Sequence, residues 1–174
     1  MSGRCQRLLE LLDSHGGRIH ALLTRLTLCE STAEDLLQDL FIRLSKSDSF
    51  DRAHNQEAYA IRAATNLAFD WRRKQQRSIR SQSLTNEPVA RGGSPRDMLE
   101  HQEQYARVLA ALDGMSELRR QVIVLHRLHG ESYDAIALHL GKTPHQVRAI
   151  CSKALAQLRE SLGKPPSLYS EESK

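Results

Sequence analysis

Residues 132–150 read SYDAIALHLGKTPHQVRAI, and this stretch decides how the chain folds. It contains Gly141-Lys142-Thr143, a tripeptide that also occurs in phosphate-binding loops, but such a loop needs a second glycine five residues earlier, where this chain has Ile136. The apolar residues ahead of Gly141 recur at the spacing of one helix face, at Tyr133, Ile136, Ala137 and Leu140. The spacing predicts a short helix and argues against a nucleotide-binding loop.

A second helix is predicted directly after the first. Gly141 ends the first helix, Thr143 is the predicted N-cap of the second, and Pro144 occupies its first position. The apolar face of this second helix comprises Val147, Ile150, Cys151, Ala154, Leu155, Leu158 and Leu162. The outward face comprises Gln146, Arg148, Ala149, Ser152 and Lys153. Two helices joined in this way predict a helix-turn-helix, whose second helix enters the major groove of DNA, and an ordinary helical hairpin is the alternative.

Composition limits the classes of protein to which the chain can belong. A chain of 174 residues with 40% hydrophobic residues can form one medium or two small domains, and its net charge of +4 is compatible with nucleic acid. Cys5, Cys29 and Cys151 are odd in number, widely spaced and form no CxxC pair, so neither a disulfide framework nor a zinc site is indicated, and no cofactor is predicted. The N-terminus lacks a signal-peptide apolar core, and no run of about twenty apolar residues occurs, so a cytoplasmic protein is expected. No catalytic spacing is recognised, and an enzyme is not predicted.

The order of helical and irregular segments predicts an all-α protein with two small helical domains. Residues 78–98 contain serines, two prolines and a Gly92-Gly93 pair without helical periodicity, which indicates a flexible linker. The predicted domains are residues 1–77 and 104–163, with a linker over 78–103 and a tail over 164–174. The C-terminal domain contains the helix-turn-helix.

The N-terminal domain is predicted to contain an acidic amphipathic helix. Ser31 and Glu34 have the spacing of a capping box at its start. Its apolar stripe comprises Ala33, Leu36, Leu37, Leu40, Phe41 and Leu44. Its exposed side carries Glu34, Asp35, Gln38 and Asp39. The helix dipole explains acidic residues in the first turn but does not explain Asp39.

A basic helix is predicted from Gln56 to Arg77. Its buried side comprises Ile61, Ala64, Leu67, Ala68 and Trp71, and its opposite side comprises Arg62, Asn66, Asp70, Arg73 and Arg77. The cations at its C-terminal end exceed what a helix dipole needs, which favours phosphate binding. The polar loop before this helix contains Phe50, which is predicted either to stack on an unpaired base or to pack into its own domain.

Three segments of the chain resemble the extracytoplasmic-function group of bacterial sigma factors. They are STAEDLLQDLFIRL (31–44), AYAIRAATNLAFDWRRKQQR (58–77) and ALDGMSELRRQVIVLHRLHGESYDAIALHLGKTPHQVRAICSKALAQLRESL (111–162). The chain departs from the family pattern at Met115-Ser116, where Leu-Pro is usual, and at His145-Gln146, where a small Gly-Thr pair is usual.

The resemblance implies a function in transcription initiation and a set of binding residues. Docking on the β′ subunit of core RNA polymerase is implied for Glu34, Asp35, Gln38, Asp39 and Phe41. Contacts to the melted minus-ten element are implied for the 45–55 loop with Phe50, and for Asn66, Asp70, Arg73 and Arg77. Reading of the minus-thirty-five duplex is implied for Thr143, His145, Gln146, Arg148, Ala149, Ser152 and Lys153.

The resemblance also names the expected partners. They are core RNA polymerase, through its β′ and β subunits, promoter DNA and an anti-sigma factor. The alternative function is a stand-alone helix-turn-helix regulator that binds duplex operators and uses its N-terminal half only for dimerisation. The acidic and basic helices of the N-terminal half argue against that alternative, because a dimerisation module does not require them.

Overall fold

A computed structural model describes residues 3–53, 55–82 and 96–163. Within these residues the chain is helical and contains no strand, which confirms the predicted all-α class. The helices are α1 (Gly3–Thr27), α2 (Glu30–Ser45), α3 (Asp48–Asp51), α4 (Gln56–Gln82), α5 (Arg96–Asp113), α6 (Glu117–Ile123), α7 (Tyr133–Leu140) and α8 (Pro144–Leu162), with a π-helical turn over Val124–Leu128 after α6. None of the described helices has both the length and the apolar character needed to cross a bilayer.

The N-terminal half is built on α1, α2 and α4, which pack on one another. Helix α1 contributes leucines and Ile19 to the core. Helix α4 contributes most of its predicted buried side, with Trp71 partly exposed against the same core, and also Phe69, which the periodicity did not single out. In α2 the predicted stripe is confirmed: Ala33, Leu36, Leu40 and Leu44 are buried, and Leu37 and Phe41 pack against the same core while partly exposed. The charged residues of α2 and α4 therefore lie on the outer sides of these two helices.

The predicted capping box at Ser31 is wrong. Helix α2 begins at Glu30 with Cys29 as its N-cap, and the Cys29 side chain makes no capping hydrogen bond. Leu28, the residue before it, has a positive φ of 59°, and the Thr27 hydroxyl oxygen accepts a hydrogen bond from the Cys29 N–H at 3.4 Å. Because Thr27 closes the turn between α1 and α2, the helix starts before Ser31 and includes it in its first turn.

The loop between α2 and α4 contains the one-turn helix α3. Its N-cap Ser47 accepts a hydrogen bond from the Phe50 N–H at 3.1 Å. This turn directs Phe50 inward, where it has no exposed surface and lies 6.0 Å from the Tyr59 ring centroid. Of the two roles predicted for Phe50, the structure supports packing into its own domain.

The C-terminal half packs α5, α6 and α7 around α8. Its core includes Leu109, Val122, Ile136 and Val147. The predicted turn is confirmed: Gly141 adopts φ 60°, a conformation that suits glycine because it has no Cβ, and Thr143 caps α8 ahead of Pro144. The structure therefore contains the helix-turn-helix that residues 132–150 predict.

The ends of the predicted linker need correction. Helix α4 continues past Arg77 to Gln82, and α5 begins at Arg96, so both helices extend into the predicted 78–103 linker. The serines and other polar residues in these two extensions weaken the apolar periodicity, so the sequence pattern does not predict them as helix. Residues 83–95 and the predicted tail at 164–174 lie outside the described residues.

The burial of Phe50 predicts how its removal affects stability. We expect Phe50→Ala to lower the free energy of unfolding by about 3–5 kcal/mol, because a fully buried aromatic ring leaves a cavity when it is truncated. The measurement is urea denaturation followed by circular dichroism, with Leu9→Ala as the control, since Leu9 is 49% exposed. Equal stabilities for the Phe50→Ala and Leu9→Ala proteins would contradict the packing role.

Candidate nucleic-acid interface

The outer face of α8 is available to a ligand. His145, Arg148, Ala149, Ser152 and Lys153 are all exposed, whereas Val147, Cys151 and Ala154 face the core. This division follows from the helical period, because residues three and four positions apart lie on the same side of the helix. The structure thus brings five predicted DNA-binding residues onto one side of one helix.

Two further residues predicted to bind DNA, Thr143 and Gln146, cap the N-terminus of α8. The Thr143 hydroxyl accepts a hydrogen bond from the Gln146 N–H at 3.2 Å, and the Gln146 side-chain oxygen accepts one from the Thr143 N–H at 3.0 Å. Together they form a capping box, which the Thr-Pro-His-Gln spacing could have indicated. The Gln146 amide oxygen is therefore occupied by the backbone while the cap is formed.

Arg148 lies beside an aromatic stack that the sequence did not single out. Its guanidinium carbon is 5.6 Å from the centroid of the Tyr133 ring. The same ring stacks on His126 at 4.2 Å, and His126 comes from the π-helical turn. Burial, followed by the hydrogen bond to Cys151, raises the pKa of the Tyr133 phenol, so the ring stays neutral at physiological pH. A neutral, fixed aromatic ring is a favourable neighbour for an arginine cation.

The acidic face of α2 is confirmed as an outward surface. Glu34, Asp35 and Gln38 are exposed. Asp39 accepts two hydrogen bonds from Arg43, at 2.9 and 3.1 Å, on the same helix. Phe41 is partly buried against the core and so presents only part of its ring.

The outer side of α4 carries Asp70, Arg73 and Arg77 in a row. Arg73 donates to the Asp70 carboxylate at 3.1 Å, and Arg77 donates to the Arg73 carbonyl at 3.3 Å. Phe50 does not join them because its ring is fully buried, so it has no surface on which a base could stack. Asn66, on the same helix, is in contact with the C-terminal half, through Glu117 at 2.9 Å and Gln121 at 3.3 Å.

A buried polar cluster that the sequence did not indicate lies where the two halves meet. The Glu131 carboxylate is 3.0 Å from His139 Nδ1, and the other ring nitrogen of His139 is 3.0 Å from the Asn55 amide nitrogen. Burial lowers the pKa of His139 and of His129 and raises the pKa of Glu131, because each charged form loses hydration. Single histidines in a sequence give no signal for such a contact, since Asn55 and His139 are 84 residues apart.

Two known protein families match the two halves of the chain. The family described as sigma-70 region 2 matches residues 11–78, and the family described as sigma-70 region 4 matches residues 105–158. The chain belongs to the sigma-70 family. Its relatives include sigma factors of the extracytoplasmic-function type, in agreement with the sequence motifs. The two matched regions contain the acidic α2 surface, the α4 row and the helix-turn-helix.

Several characterised proteins resemble this sigma-70 family chain. It is 32% identical to the extracytoplasmic-function RNA polymerase sigma factor SigE of Mycolicibacterium smegmatis, over 91% of this chain and 62% of that protein. It is 26% identical to the extracytoplasmic-function sigma factor SigX of Bacillus subtilis, over 87% of this chain and 81% of that protein. The chain therefore spans somewhat less than two thirds of the length of SigE.

Two solved structures share the fold of this sigma-70 family chain. One is the sigma factor RpoE of Bartonella quintana in complex with the anti-sigma factor NepR, with 26% identity and a TM-score of 0.51 over 93% of this chain and 98% of that chain. The other is CnrH in complex with the cytosolic domain of CnrY, with 23% identity and a TM-score of 0.55 over 92% of this chain and 90% of that chain. The CnrH likeness supports the fold alone.

The exposed face of α8 predicts different roles for its two cations. Arg148 is near the N-terminal end of the helix, where recognition helices meet base edges, and its planar guanidinium can bind guanine through two hydrogen bonds. Lys153 lies further along and is expected to contact phosphate. Arg148→Ala should cost about 1–3 kcal/mol and relax preference at one or two base pairs, whereas Lys153→Ala should weaken binding to every sequence and reduce its salt dependence.

The measurement for this pair is promoter binding by the polymerase complex to a panel of upstream-element variants at two salt concentrations. An equal loss on all variants for Arg148→Ala would reduce Arg148 to a phosphate contact. The absence of a loss for both substitutions would contradict the assignment of α8 as the recognition helix.

Proposed function

We propose that this chain is an extracytoplasmic-function sigma factor that directs core RNA polymerase to specific promoters and assists promoter melting. The observation that carries the proposal is the presence, in one chain, of an outward acidic face on α2 and an exposed recognition-type face on α8. A polymerase-binding surface and a duplex-reading surface are the two features that a promoter-selecting subunit requires. The similarity to SigE and SigX supports the same function.

Polymerase binding is assigned to the outer face of α2. Its carboxylates, Glu34, Asp35 and Asp39, suit a basic surface on the partner, and Gln38 can add neutral hydrogen bonds. Phe41 contributes the exposed edge of a ring that is otherwise packed in the core. The proposed partner for this face is the β′ subunit, and the β subunit is proposed as a second contact of the chain.

Promoter DNA is assigned to α4 and α8. The α4 row, Asp70, Arg73 and Arg77, together with Asn66, is proposed to contact the melted minus-ten element. The α8 face, with His145, Arg148, Ala149, Ser152 and Lys153, is proposed to read the minus-thirty-five duplex. In this division residues 1–77 serve as region 2, residues 104–163 as region 4, and residues 78–103 connect them.

The remaining properties follow from this function. A promoter-selecting subunit works where polymerase and DNA are, so the proposed location is the cytoplasm. It changes where polymerase starts and catalyses no reaction itself, so we propose that the chain is not an enzyme. An anti-sigma factor is a further proposed partner, because the related RpoE was solved in complex with one.

The proposed function is tested by mixing the chain with core polymerase and mapping transcription starts. We expect a stable complex that initiates at defined promoters, and no initiation there by core polymerase alone. Tight, specific binding to promoter duplex without polymerase, combined with indifference to the core enzyme, would instead support a stand-alone helix-turn-helix regulator.

Reversal of one charge on α2 tests the polymerase-binding face. We expect Asp39→Arg to weaken the affinity for core polymerase at least severalfold, because the new cation both repels a basic partner and faces Arg43, its present ion-pair partner. The two arginines one turn apart should cost the helix only a few tenths of a kcal/mol, so the fold should persist. The measurement is a binding titration with core polymerase.

The matched control is Asp13→Arg, which makes the same charge change at an exposed position of α1. It should leave the affinity close to that of the unmodified chain. Equal affinities for the Asp39→Arg and Asp13→Arg proteins, both folded, would remove Asp39 from the docking face.

A further inference from the structure

Tyr133, the first residue of α7, contacts the recognition helix α8 without belonging to it. The centroid of its ring lies 5.6 Å from the guanidinium carbon of Arg148 on α8. We propose that Tyr133 is a positioning residue for promoter reading, which holds Arg148 in the orientation that binds a base edge and so contributes to sequence preference without contacting the base. The inference deepens the proposed function and rests on it, because that function assigns α8 to the minus-thirty-five duplex.

The Tyr133 ring is itself held in place from two other elements. Its hydroxyl donates to Cys151 Sγ at 3.9 Å, and Cys151 is a buried residue of α8. The His126 ring stacks on it with centroids 4.2 Å apart and an angle of 26° between the planes. His126 Nδ1 in turn lies 2.8 Å from the Glu131 carbonyl oxygen, which can only accept, so this nitrogen donates. The π-helical turn, α7 and α8 therefore together fix the ring that Arg148 contacts.

The contact with Tyr133 leaves the hydrogen-bonding edge of Arg148 free. Arg148 is exposed, and its guanidinium forms no hydrogen bond or ion pair with any residue that the structure describes. The N–H donors of a guanidinium lie in its plane, whereas an aromatic ring interacts with its charge and its face. Arg119 shows the contrast, since it donates to the Gln157 side-chain oxygen at 2.8 Å and so has one donor occupied. An aromatic neighbour can thus orient Arg148 and keep its donors available to guanine.

The expected size of the effect follows from side-chain entropy. A free arginine loses rotamer freedom when it binds a base edge, and a neighbour that restrains it beforehand reduces that loss. Ordering one side chain of this kind corresponds to about three- to tenfold in affinity. Lys153 has no aromatic neighbour among the described residues, and phosphate accepts a cation from many directions, so no positioning is expected there.

The test compares two substitutions of Tyr133 in the full chain bound to core polymerase. Tyr133→Leu removes the ring, whereas Tyr133→Phe keeps the ring and removes only the hydroxyl. The packing control is Leu140→Ala, at the other end of α7, where Leu140 is also partly buried against the core. The measurement is affinity for the preferred promoter and for promoters substituted at the base pairs whose preference Arg148→Ala relaxes. We expect Tyr133→Leu to reduce this preference about three- to tenfold, and Tyr133→Phe and Leu140→Ala to retain it.

A double substitution separates positioning from packing. Tyr133→Leu should reduce the preference no further when Arg148→Ala is already present, because the ring then has no guanidinium to orient. A residue that only stabilises the domain would instead weaken binding to every promoter variant, and by the same factor whether or not Arg148 is present.

A second measurement needs no DNA. Nuclear magnetic resonance relaxation of the arginine Nε–H groups reports motion on the picosecond to nanosecond timescale, and the Arg148 signal is identified by its loss in Arg148→Ala. We expect restricted motion at Arg148 in the unmodified chain and in Tyr133→Phe, and freer motion in Tyr133→Leu. Circular dichroism checks that each variant is helical, and Tyr133→Met replaces Tyr133→Leu if the latter does not fold. Arg159, an exposed arginine of the same helix, is the internal reference in the unmodified chain.

Two outcomes would overturn the positioning role. One is equal base preference for the folded Tyr133→Leu and Tyr133→Phe proteins. The other is an Arg148 signal in the unmodified chain that is as mobile as the Arg159 signal. Initiation by the unmodified chain with core polymerase is scored separately, so either result with normal initiation leaves the proposed function standing. Absence of initiation would overturn the proposed function and, with it, the role of Tyr133 in promoter reading.

Discussion

Helix α4 is amphipathic along its length, and the arrangement of the other helices depends on which of its sides is buried. Its apolar side packs on α1 and α2 and completes the core of the N-terminal half. Its polar side therefore projects away from that core, and a surface rich in arginine and amide groups results. The same helical period that stabilises the domain thus orients the groups that are proposed to contact promoter DNA and that, in this structure, contact the carboxylates of the C-terminal half.

Polar and charged side chains contribute directly to the contact between the two halves of the molecule. Inside each half, buried leucine, isoleucine and alanine side chains supply the stabilisation, and this contribution is insensitive to salt. Between the halves, the contacts include the Arg72–Asp113 ion pair, the Asn66–Glu117 hydrogen bond and the Arg120 guanidinium over the Phe69 ring. Contacts of that kind can exchange for contacts of the same kind with another anion.

Sequence reasoning succeeded where a pattern is local and periodic. It predicted the all-α class, the stripe of α2 and the turn at Gly141 and Thr143, because helical period and capping chemistry act over a few residues. It misplaced the start of α2, since Leu28 adopts a positive φ and Thr27 closes the turn. It left the position of Phe50 open, and it could not find the Asp113–Arg72 or Asn55–His139 contacts, because their members come from distant parts of the chain.

The π-helical turn at Val124–Leu128 places one extra residue in the helix that begins at Glu117. The His129 N–H bonds to the Val124 carbonyl, five residues back, where an α-helix would reach back four. Deletion of one codon here would restore a continuous α-helix and rotate the residues before it by about 100° relative to those after it. Glu117 and Gln121 would then turn away from α4, and Val122 and Ile123 would leave the core that they form with α8. The extra residue of this turn is therefore what allows one continuous helical segment to face α4 near its start and to fill the C-terminal core along the rest of its length.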